Sequence, residues 1–222
     1  MAQRPVVRVD VWSDISCPWC WVGKKRMDQA LAQLEQVDFE VVYHAYVIDH
    51  KTDPGGEQYL AYNRRRWGGD GWTGDLRRSG SPDGATFADW VWWPSSLKGH
   101  QLLLLAQEQG KGREAKDLLL RYTYEQGENV SDIGTLVRAG RELGLDEGEV
   151  RRHLAEDRGR AAVLRDDETG KRELGISGVP YFIVGPGGGG GGEPGRRYAL
   201  SGAQPAAAFV KAVGKVLAEQ AG

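Results

Sequence analysis

The stretch Cys17-Pro18-Trp19-Cys20 contains both cysteines of this 222-residue chain. Residues 6–12, which precede it, are rich in β-branched side chains and predict a strand. After it, Val22, Met27 and Leu31 recur at helical spacing and predict an amphipathic helix. The sequence therefore predicts that the cysteine pair stands where a strand passes into a helix.

The spacing of Cys17 and Cys20 has a chemical reason. Residues three positions apart share one face of a helical turn, so the two sulfurs can approach bonding distance. Cys17 is expected at the helix N-terminus, where free backbone N–H groups and the helix dipole favour a thiolate. Pro18 suits the first helical position, and Ser16 is expected to be the N-cap. We therefore expect Cys17 to be the nucleophile and Cys20 the resolving thiol.

Two structural roles compete with thiol chemistry for this pair. A zinc site needs four ligands and would have to recruit two histidines, and none of the four lies at a zinc-motif spacing from the cysteines. These histidines are His44, His50, His100 and His153. A buried, inert pair would pack as small apolar side chains. The polar residues Ser13 and Asp14 argue instead for an exposed loop, and no metal ligand set is expected.

The composition narrows the class of protein. The chain has a formal net charge of −2 and 40% hydrophobic residues, which is typical of a soluble globular protein. The basic run 64–66 is short and accompanies no nucleic-acid motif, so no nucleic-acid partner is expected. Residues 1–5 lead straight into the first strand without an apolar signal core, and no segment is long enough to span a membrane. A cytoplasmic location is therefore expected.

Three blocks follow one another along the chain, and they predict an α/β protein. The pattern of residues 6–52 predicts a strand, a helix and a strand, and the pattern of residues 168–222 predicts two strands and a helix. Residues 53–167 have almost no strand signal and are expected to form a helical insertion. Helices are predicted there over 97–109, 114–125, 132–143 and 147–156. The glycine run 187–192 predicts a flexible surface loop.

Four stretches of the chain together resemble the DsbA-like thioredoxin family, in particular its cytosolic FrnE-type branch, which includes relatives of 2-hydroxychromene-2-carboxylate isomerase. They are residues 13–24 around the cysteines, 96–100, 175–182 and 201–204. The resemblance implies a thioredoxin fold (βαβ…ββα) interrupted by an all-helical insertion domain. It also implies that Pro180 follows a cis peptide bond and faces the cysteines.

The same resemblance implies a function and its site. Pro18, Trp19, Val179 and Pro180 are expected to bind substrate, and the expected activity is that of a thiol–disulfide oxidoreductase that reduces, forms or isomerises disulfides. The expected partners are proteins with thiols or disulfides, or small thiols such as glutathione, which is also the expected co-substrate. No bound cofactor is expected, and the chain is expected to be a monomer or a homodimer.

Two alternatives to this function stay open. The first is a glutathione-dependent isomerase or transferase of the chromene-carboxylate isomerase type, in which the resemblance implies a serine at the position of Cys17. The second is a non-catalytic module that binds extended peptides. His100 opens an apolar helix and is expected to be packed rather than catalytic. Trp19 is expected to face outward, and the tryptophans of residues 67–93 are expected either to form a small core or to line a groove.

Overall fold

The computed structural model of this chain describes residues 4–188 and 195–220. Residues 189–192 of the glycine run 187–192, for which a flexible loop is predicted, lie outside the described part. In the described part the strands are β1 (Val6–Ser13), β2 (Asp38–Ala45), β3 (Glu57–Gln58), β4 (Trp92–Trp93), β5 (Tyr181–Pro186) and β6 (Tyr198–Ser201). The α-helices there are α1 (Pro18–Ala32), α2 (Tyr59–Trp67), α3 (Thr73–Gly80), α4 (Leu97–Glu108), α5 (Gly112–Glu125), α6 (Ile133–Glu142), α7 (Glu147–Ala155), α8 (Arg160–Glu168) and α9 (Ala206–Gln220).

Four of these strands form one sheet, in the order β2-β1-β5-β6. β1 pairs in parallel with β2 and antiparallel with β5, so that Val9 lies opposite Val41 on one side and Val184 on the other. β6 extends the sheet antiparallel to β5. α1 connects the parallel pair, and α9 follows β6. The predicted α/β class and the βαβ…ββα order are confirmed.

Both faces of this sheet are covered, because a parallel strand pair needs packing on each side. Alternate residues of β1 point to opposite faces. On one face, Val7, Val9 and Val11 are buried in a hydrophobic cluster with Met27 of α1 and Phe209 of α9. On the other face, α8 packs against β2. The end of β1 therefore lies inside the molecule.

The segment between β2 and β5 is mainly helical, and its helices share the core of the sheet. Leu102, Leu118 and Leu136, from three different helices, belong to the same hydrophobic cluster as Val7. In this segment β3 and β4 form a short antiparallel ladder, which corrects the expectation of an all-helical insertion. Strands of two residues are too short to show a period-two pattern in the sequence. None of the helices in the described ranges is long and apolar enough to cross a bilayer.

The domain limits 6–52, 53–167 and 168–222 stay predictions. In the structure α8 runs across the second limit, and a π-helical turn over Thr169–Glu173 continues it toward β5. The insertion and the sheet are therefore joined by continuous helix on this side.

A second group of buried residues, which we call the aromatic cluster, joins the insertion to α1. It contains Trp90, Trp93 and Tyr62 from the insertion and Trp21 from α1. Trp93 stacks on Tyr62 with the ring centroids 4.0 Å apart. Most of the tryptophan-rich segment thus forms a small core, whereas Trp67 is 52% exposed.

A charged cluster on the face of the sheet toward α8 holds β1, β2 and α8 together. His44 Nε2 lies 2.8 Å from Asp10 Oδ1, and His44 Nδ1 lies 3.3 Å from Asp166 Oδ1. The imidazole also stacks on Trp12, with the ring centroids 4.2 Å apart. Burial by itself lowers the pKa of His44, but hydrogen bonds to Asp10 and Asp166 outweigh it and raise the pKa to about 9. The imidazole is therefore charged at neutral pH.

The contribution of His44 to stability is expected to disappear at alkaline pH. Because its pKa is higher in the folded chain, the stabilisation is complete below the ordinary histidine pKa of about 6.5. It is lost as the pH rises through about 9. Burial opposes the charge of Asp10, but hydrogen bonds from His44 and Arg8 hold its pKa at about 2. The contribution of Asp10 to stability is therefore fully present above the ordinary aspartate pKa of about 3.9, and it is lost as the pH falls toward about 2.

Urea unfolding of the wild type and of His44→Phe at about pH 6 and about pH 9.5 measures this effect. The phenyl ring can still stack on Trp12 but carries no charge. The difference in unfolding free energy between the two proteins is expected to shrink by on the order of 2–3 kcal/mol between these pH values. A difference that stays constant would show that the charge of the imidazole does not stabilise the sheet.

Candidate active site

The cysteine pair lies where β1 passes into α1. β1 ends at Ser13, and α1 begins at Pro18. Cys17 is the N-cap of α1 and has an extended backbone, with φ −91° and ψ 111°. The expectation that Ser16 is the N-cap is therefore wrong, because the Ser16 hydroxyl donates instead to Oδ2 of Asp14 at 2.9 Å. Cys17 stands at the positive end of the helix dipole.

Both cysteines are free thiols, and they stand 3.4 Å apart. The backbone N–H of Cys20 donates to the carbonyl of Cys17 at 2.9 Å, which closes the first turn of the helix. Cys17 is 6% exposed, whereas Cys20 is 1% exposed. Of the two thiols, Cys17 therefore has the greater access to the surface, and Cys20 lies behind it.

The segment that leads from β1 to the cysteines is buried, which corrects the expectation of an exposed loop. Ser13 and Asp14 are 2% and 0% exposed. The Asp14 carboxylate can be buried because it accepts bonds from the backbone N–H groups of Ser16 and Ile48, at 3.1 and 2.7 Å. Burial by itself raises the pKa of Asp14, but contacts with His100 and with the backbone of Ile48 hold it at about 2. Asp14 is thus a charged brace for the loop, a role that the sequence pattern does not indicate.

His100 of α4 lies beneath this loop, and the expectation of a packed side chain is confirmed. It is 2% exposed, and its Nε2 lies 3.4 Å from Oδ1 of Asp14. Burial lowers the pKa of His100, so the imidazole is neutral at physiological pH. In the described ranges, no three side chains of the metal-ligating types His, Cys, Asp and Glu come together in a group that could hold a metal ion.

The loop before β5 returns to the cysteines. Val179 stands 162 positions after Cys17, yet the Cys17 thiol donates to the carbonyl of Val179 with an Sγ to O distance of 3.5 Å. The Val179–Pro180 peptide bond is cis, as the resemblance implies. Tyr181, the first residue of β5, pairs with Trp12 near the end of β1. The pairing of these two strands thus brings the loop opposite the start of α1.

Gly23 lets α1 approach this loop closely. A Cβ atom at position 23 would lie 2.7 Å from Cγ of Pro180 and 3.3 Å from Cζ of Phe182. Real Cβ atoms do not tolerate the first of these distances, so a side chain here would push the helix and the loop apart. The cysteine motif by itself does not indicate this role of Gly23. An isolated glycine inside a helical pattern is the signal that could have revealed it.

The two residues between the cysteines differ in exposure. Pro18 is buried, and Trp19 is half-buried against the aromatic cluster, so Trp19 faces outward only in part. On the opposite side of the site, Tyr46 and Ile176 are buried together, and Val179 packs against them. The Tyr46 hydroxyl donates to the carbonyl of Ile176 at 3.3 Å. Cys17 is therefore bordered mainly by apolar side chains.

The two thiols do not ionise independently, because they lie within hydrogen-bond reach of each other. The pKa of Cys17 is raised, first by its hydrogen bond to Cys20 and then by burial. Burial also opposes a thiolate at Cys20, but the hydrogen bond from Cys17 and the positive charge of Lys116 outweigh it and lower the pKa of Cys20. The helix position favours a thiolate at Cys17, and because the two thiols titrate together, the first negative charge belongs to the pair rather than to one sulfur.

Two free thiols at this separation can be oxidised to a disulfide and reduced again. In an exchange reaction the chain would lose two electrons, and a partner disulfide would gain them. The structure thus brings Cys17, Cys20, Val179 and Pro180 together, with Pro18 and Trp19 beside them.

Comparisons with known proteins agree with this arrangement. The chain matches the family model of the DSBA-like thioredoxin domain over residues 8–214. A crystal structure of a probable DsbA oxidoreductase, SCO1869 from Streptomyces coelicolor, is 30% identical in sequence and has a TM-score of 0.78. The match covers 96% of this chain and 91% of that chain.

Two more distant structures share the fold. A 2-hydroxychromene-2-carboxylate isomerase is 16% identical, with a TM-score of 0.67 and coverage of 96% of this chain and 98% of that chain. The cytosolic disulfide reductase DsbM from Pseudomonas aeruginosa, in its structure with GSH, is 19% identical, with a TM-score of 0.60 and coverage of 95% and 99%. Since the family model matches from residue 8 to residue 214, the chain belongs to the family of the DSBA-like thioredoxin domain.

Proposed function

We propose that this chain is a thiol–disulfide oxidoreductase that reduces, forms or isomerises the disulfides of a partner. The observation that carries the proposal is the position of the Cys17 sulfur. It stands at the start of α1, beside a second free thiol, and 3.5 Å from the carbonyl oxygen of Val179 on the opposite loop. Membership of the DSBA-like family and the 30% identity to a probable DsbA oxidoreductase support the same reaction class.

In this reaction Cys17 is the nucleophile. Its sulfur faces the Val179 loop and is the more exposed of the two, so a partner disulfide can reach it first. As Cys17 attacks, its proton passes to the neighbouring sulfur of Cys20, with which it titrates as a pair. The product is a mixed disulfide between Cys17 and one partner sulfur, and the other partner sulfur leaves as a thiolate. The first partner thiolate takes up this proton, and the Cys20 thiolate then attacks the sulfur of Cys17, so that the Cys17–Cys20 disulfide forms and the second partner sulfur leaves as a thiolate.

The partner is held by the surface around Cys17. Val179 and Pro180 provide the loop opposite the sulfur, and Pro18 and Trp19 border it from α1. Proteins with thiols or disulfides, or small thiols such as glutathione, fit this apolar border. The DsbM structure with GSH supports a glutathione-type partner, and the cytosolic location of DsbM supports the cytosol as the site of the reaction.

A second candidate function is a glutathione-dependent isomerase. The specific observation in its favour is the likeness to 2-hydroxychromene-2-carboxylate isomerase, with a TM-score of 0.67 over 96% of this chain. In that branch the resemblance implies a serine at the position that Cys17 occupies here. A second thiol at Cys20 has no use in such a reaction, so the cysteine pair favours the oxidoreductase.

Counting thiols through one redox cycle tests the proposal. The reduced chain, treated with oxidised glutathione and then denatured, is expected to lose both thiols without retaining glutathione, and dithiothreitol is expected to restore both. The chain is also expected to accelerate the reduction of insulin by glutathione. A chain that keeps both thiols, or that cycles them without accelerating insulin reduction, would contradict the proposal. The double variant Cys17→Ser/Cys20→Ser is the control.

A further inference from the structure

Arg26 of α1 joins three separate parts of the chain. Its Nη1 donates to the carbonyl of Ala203 at 2.6 Å, and its Nε donates to Oδ2 of Asp83 at 2.6 Å. Its Nη2 donates to the carbonyl and to the hydroxyl of Ser79, at 2.9 and 3.1 Å. The side chains of Arg26 and Asp83 are only 17% and 20% exposed. The guanidinium is therefore held between α1, the insertion and the turn that follows β6.

These contacts need the shape of a guanidinium as well as its charge. Its nitrogens lie in one plane and donate in fixed, diverging directions, whereas an ammonium is a compact point charge. Two of the acceptors, on Ala203 and Ser79, are backbone carbonyls, so the contacts fix the main chain of two segments. Ser79 lies in the last turn of α3, where the helix dipole also favours a cation.

The turn between β6 and α9 is also bonded to the loop opposite the cysteines. The N–H of Gly202 in this turn donates to the carbonyl of Pro180 at 2.8 Å. Val179, the residue before Pro180, accepts the hydrogen bond of the Cys17 thiol. A continuous series of contacts therefore runs from Arg26 through the turn to the sulfur of Cys17.

We propose that Arg26 is a positioning residue for the partner-binding loop, because its guanidinium holds the turn after β6, and through it Val179 and Pro180, against α1 and the insertion. This inference rests on the proposed oxidoreductase function. Gly23 permits the close approach of α1 to Pro180, whereas Arg26 supplies attractive contacts that maintain it. Within the described residues, the hydrogen bonds of Arg26 go to the turn and the insertion, so it acts on the reaction through the loop.

An extended partner is expected to depend on Arg26 more than a small disulfide does. A peptide has to be held by the loop of Val179 and Pro180 before Cys17 attacks its disulfide, so a less fixed loop raises KM. A small disulfide such as hydroxyethyl disulfide can meet the Cys17 sulfur without being held along the loop. A substitution that merely destabilised the fold would slow the reaction with both substrates alike.

Arg26→Met removes every donor of the side chain and keeps most of its apolar length. We expect KM for insulin to rise by about five- to tenfold with little change in kcat, and the rate with hydroxyethyl disulfide to change by less than about twofold. We also expect the amide hydrogen of Gly202 to exchange with deuterium about tenfold faster, because the turn that carries it is no longer held. This exchange is measured by NMR without turnover.

Arg77→Met is the matched control for this substitution. Arg77 is also half-buried and donates to a backbone carbonyl, that of Phe87 at 2.5 Å, but this bond lies within the insertion. It is expected to leave KM for insulin and the exchange of the Gly202 amide within about twofold of the wild type. Arg26→Lys keeps the charge without the planar donors and is expected to shift both quantities part of the way. Circular dichroism checks the fold, and Arg26→Lys decides if Arg26→Met does not fold.

The outcomes separate this inference from the proposed function. An unchanged amide exchange of Gly202 in folded Arg26→Met, an equal loss of rate with insulin and with hydroxyethyl disulfide, or equal effects in Arg77→Met would overturn the inference even if the wild type exchanges disulfides. A wild type that reacts with neither substrate would overturn the proposed function, whereas the exchange of the Gly202 amide would still report whether Arg26 holds the loop.

Discussion

Cys17→Ser is expected to abolish disulfide exchange, and Cys20→Ser is expected to halt it at the mixed disulfide. Cys17→Ser removes the sulfur that faces Val179, so the first covalent bond to the partner cannot form. The exchange rate should fall by on the order of a thousandfold or more. Cys20→Ser keeps the attacking sulfur but removes the thiol that releases the partner, so the adduct accumulates.

Mass spectrometry under non-reducing conditions distinguishes the two variants. After incubation with oxidised glutathione, Cys20→Ser should carry one glutathione per chain and Cys17→Ser should carry none. The buried position of Cys20, which is 1% exposed, is the physical reason for the second result. Equal amounts of adduct on both variants would mean that Cys17 and Cys20 do not act as nucleophile and resolving thiol, respectively.

Gly23→Ala is expected to destabilise the fold and to damage the site together. The added Cβ would lie 2.7 Å from Cγ of Pro180, so α1 and the loop before β5 must move apart. Overpacking of this kind costs about 1–3 kcal/mol. Because the Cys17 sulfur bonds to the carbonyl of Val179 in the same loop, the exchange rate should fall as well. Urea unfolding and the insulin assay measure the two effects.

Gly214→Ala is the matched control for this substitution. Gly214 also lies inside a helix, α9, but a Cβ there would have no atom within 4 Å. Alanine is the better helix former, so Gly214→Ala should stabilise the chain by about 0.5–1 kcal/mol and leave exchange unchanged. If both alanine variants stabilise the chain, the close approach of α1 to Pro180 does not limit the fold.

The sequence alone predicted the helices whose apolar residues recur at helical spacing within the helix itself. The pattern that predicts a helix over 97–109 corresponds to α4 at Leu97–Glu108, and the pattern over 147–156 corresponds to α7 at Glu147–Ala155. In both, apolar residues recur at helical spacing because one face packs on the core. α2 and α3 were not indicated, since most apolar residues of α2 stand side by side at its start and α3 has only Leu76, so neither shows a helical period.

The sequence predicted those parts of the site whose chemistry depends on a short motif. The two cysteines at helical spacing are such a motif, and the pairing of their loop with Val179 and Pro180 came from the resemblance. The burial of Asp14 was not predictable, because an aspartate before a helix normally faces solvent. Only the backbone N–H groups of Ser16 and Ile48, brought together by the fold, let it be buried with its charge.

By itself the sequence determined the reaction class that the cysteines permit, the α/β order of the elements and the start of α1 at the cysteine pair, because these depend on neighbours along the chain. Only the tertiary structure decided the electrostatics of the pair. The positive charge of Lys116 lies on α5, about a hundred residues further along the chain, and it acts on the pKa of Cys20 more strongly than it would in water because both groups are buried. Charges act through space, and the helix position of Cys17 alone therefore did not reveal where the thiolate charge is stabilised.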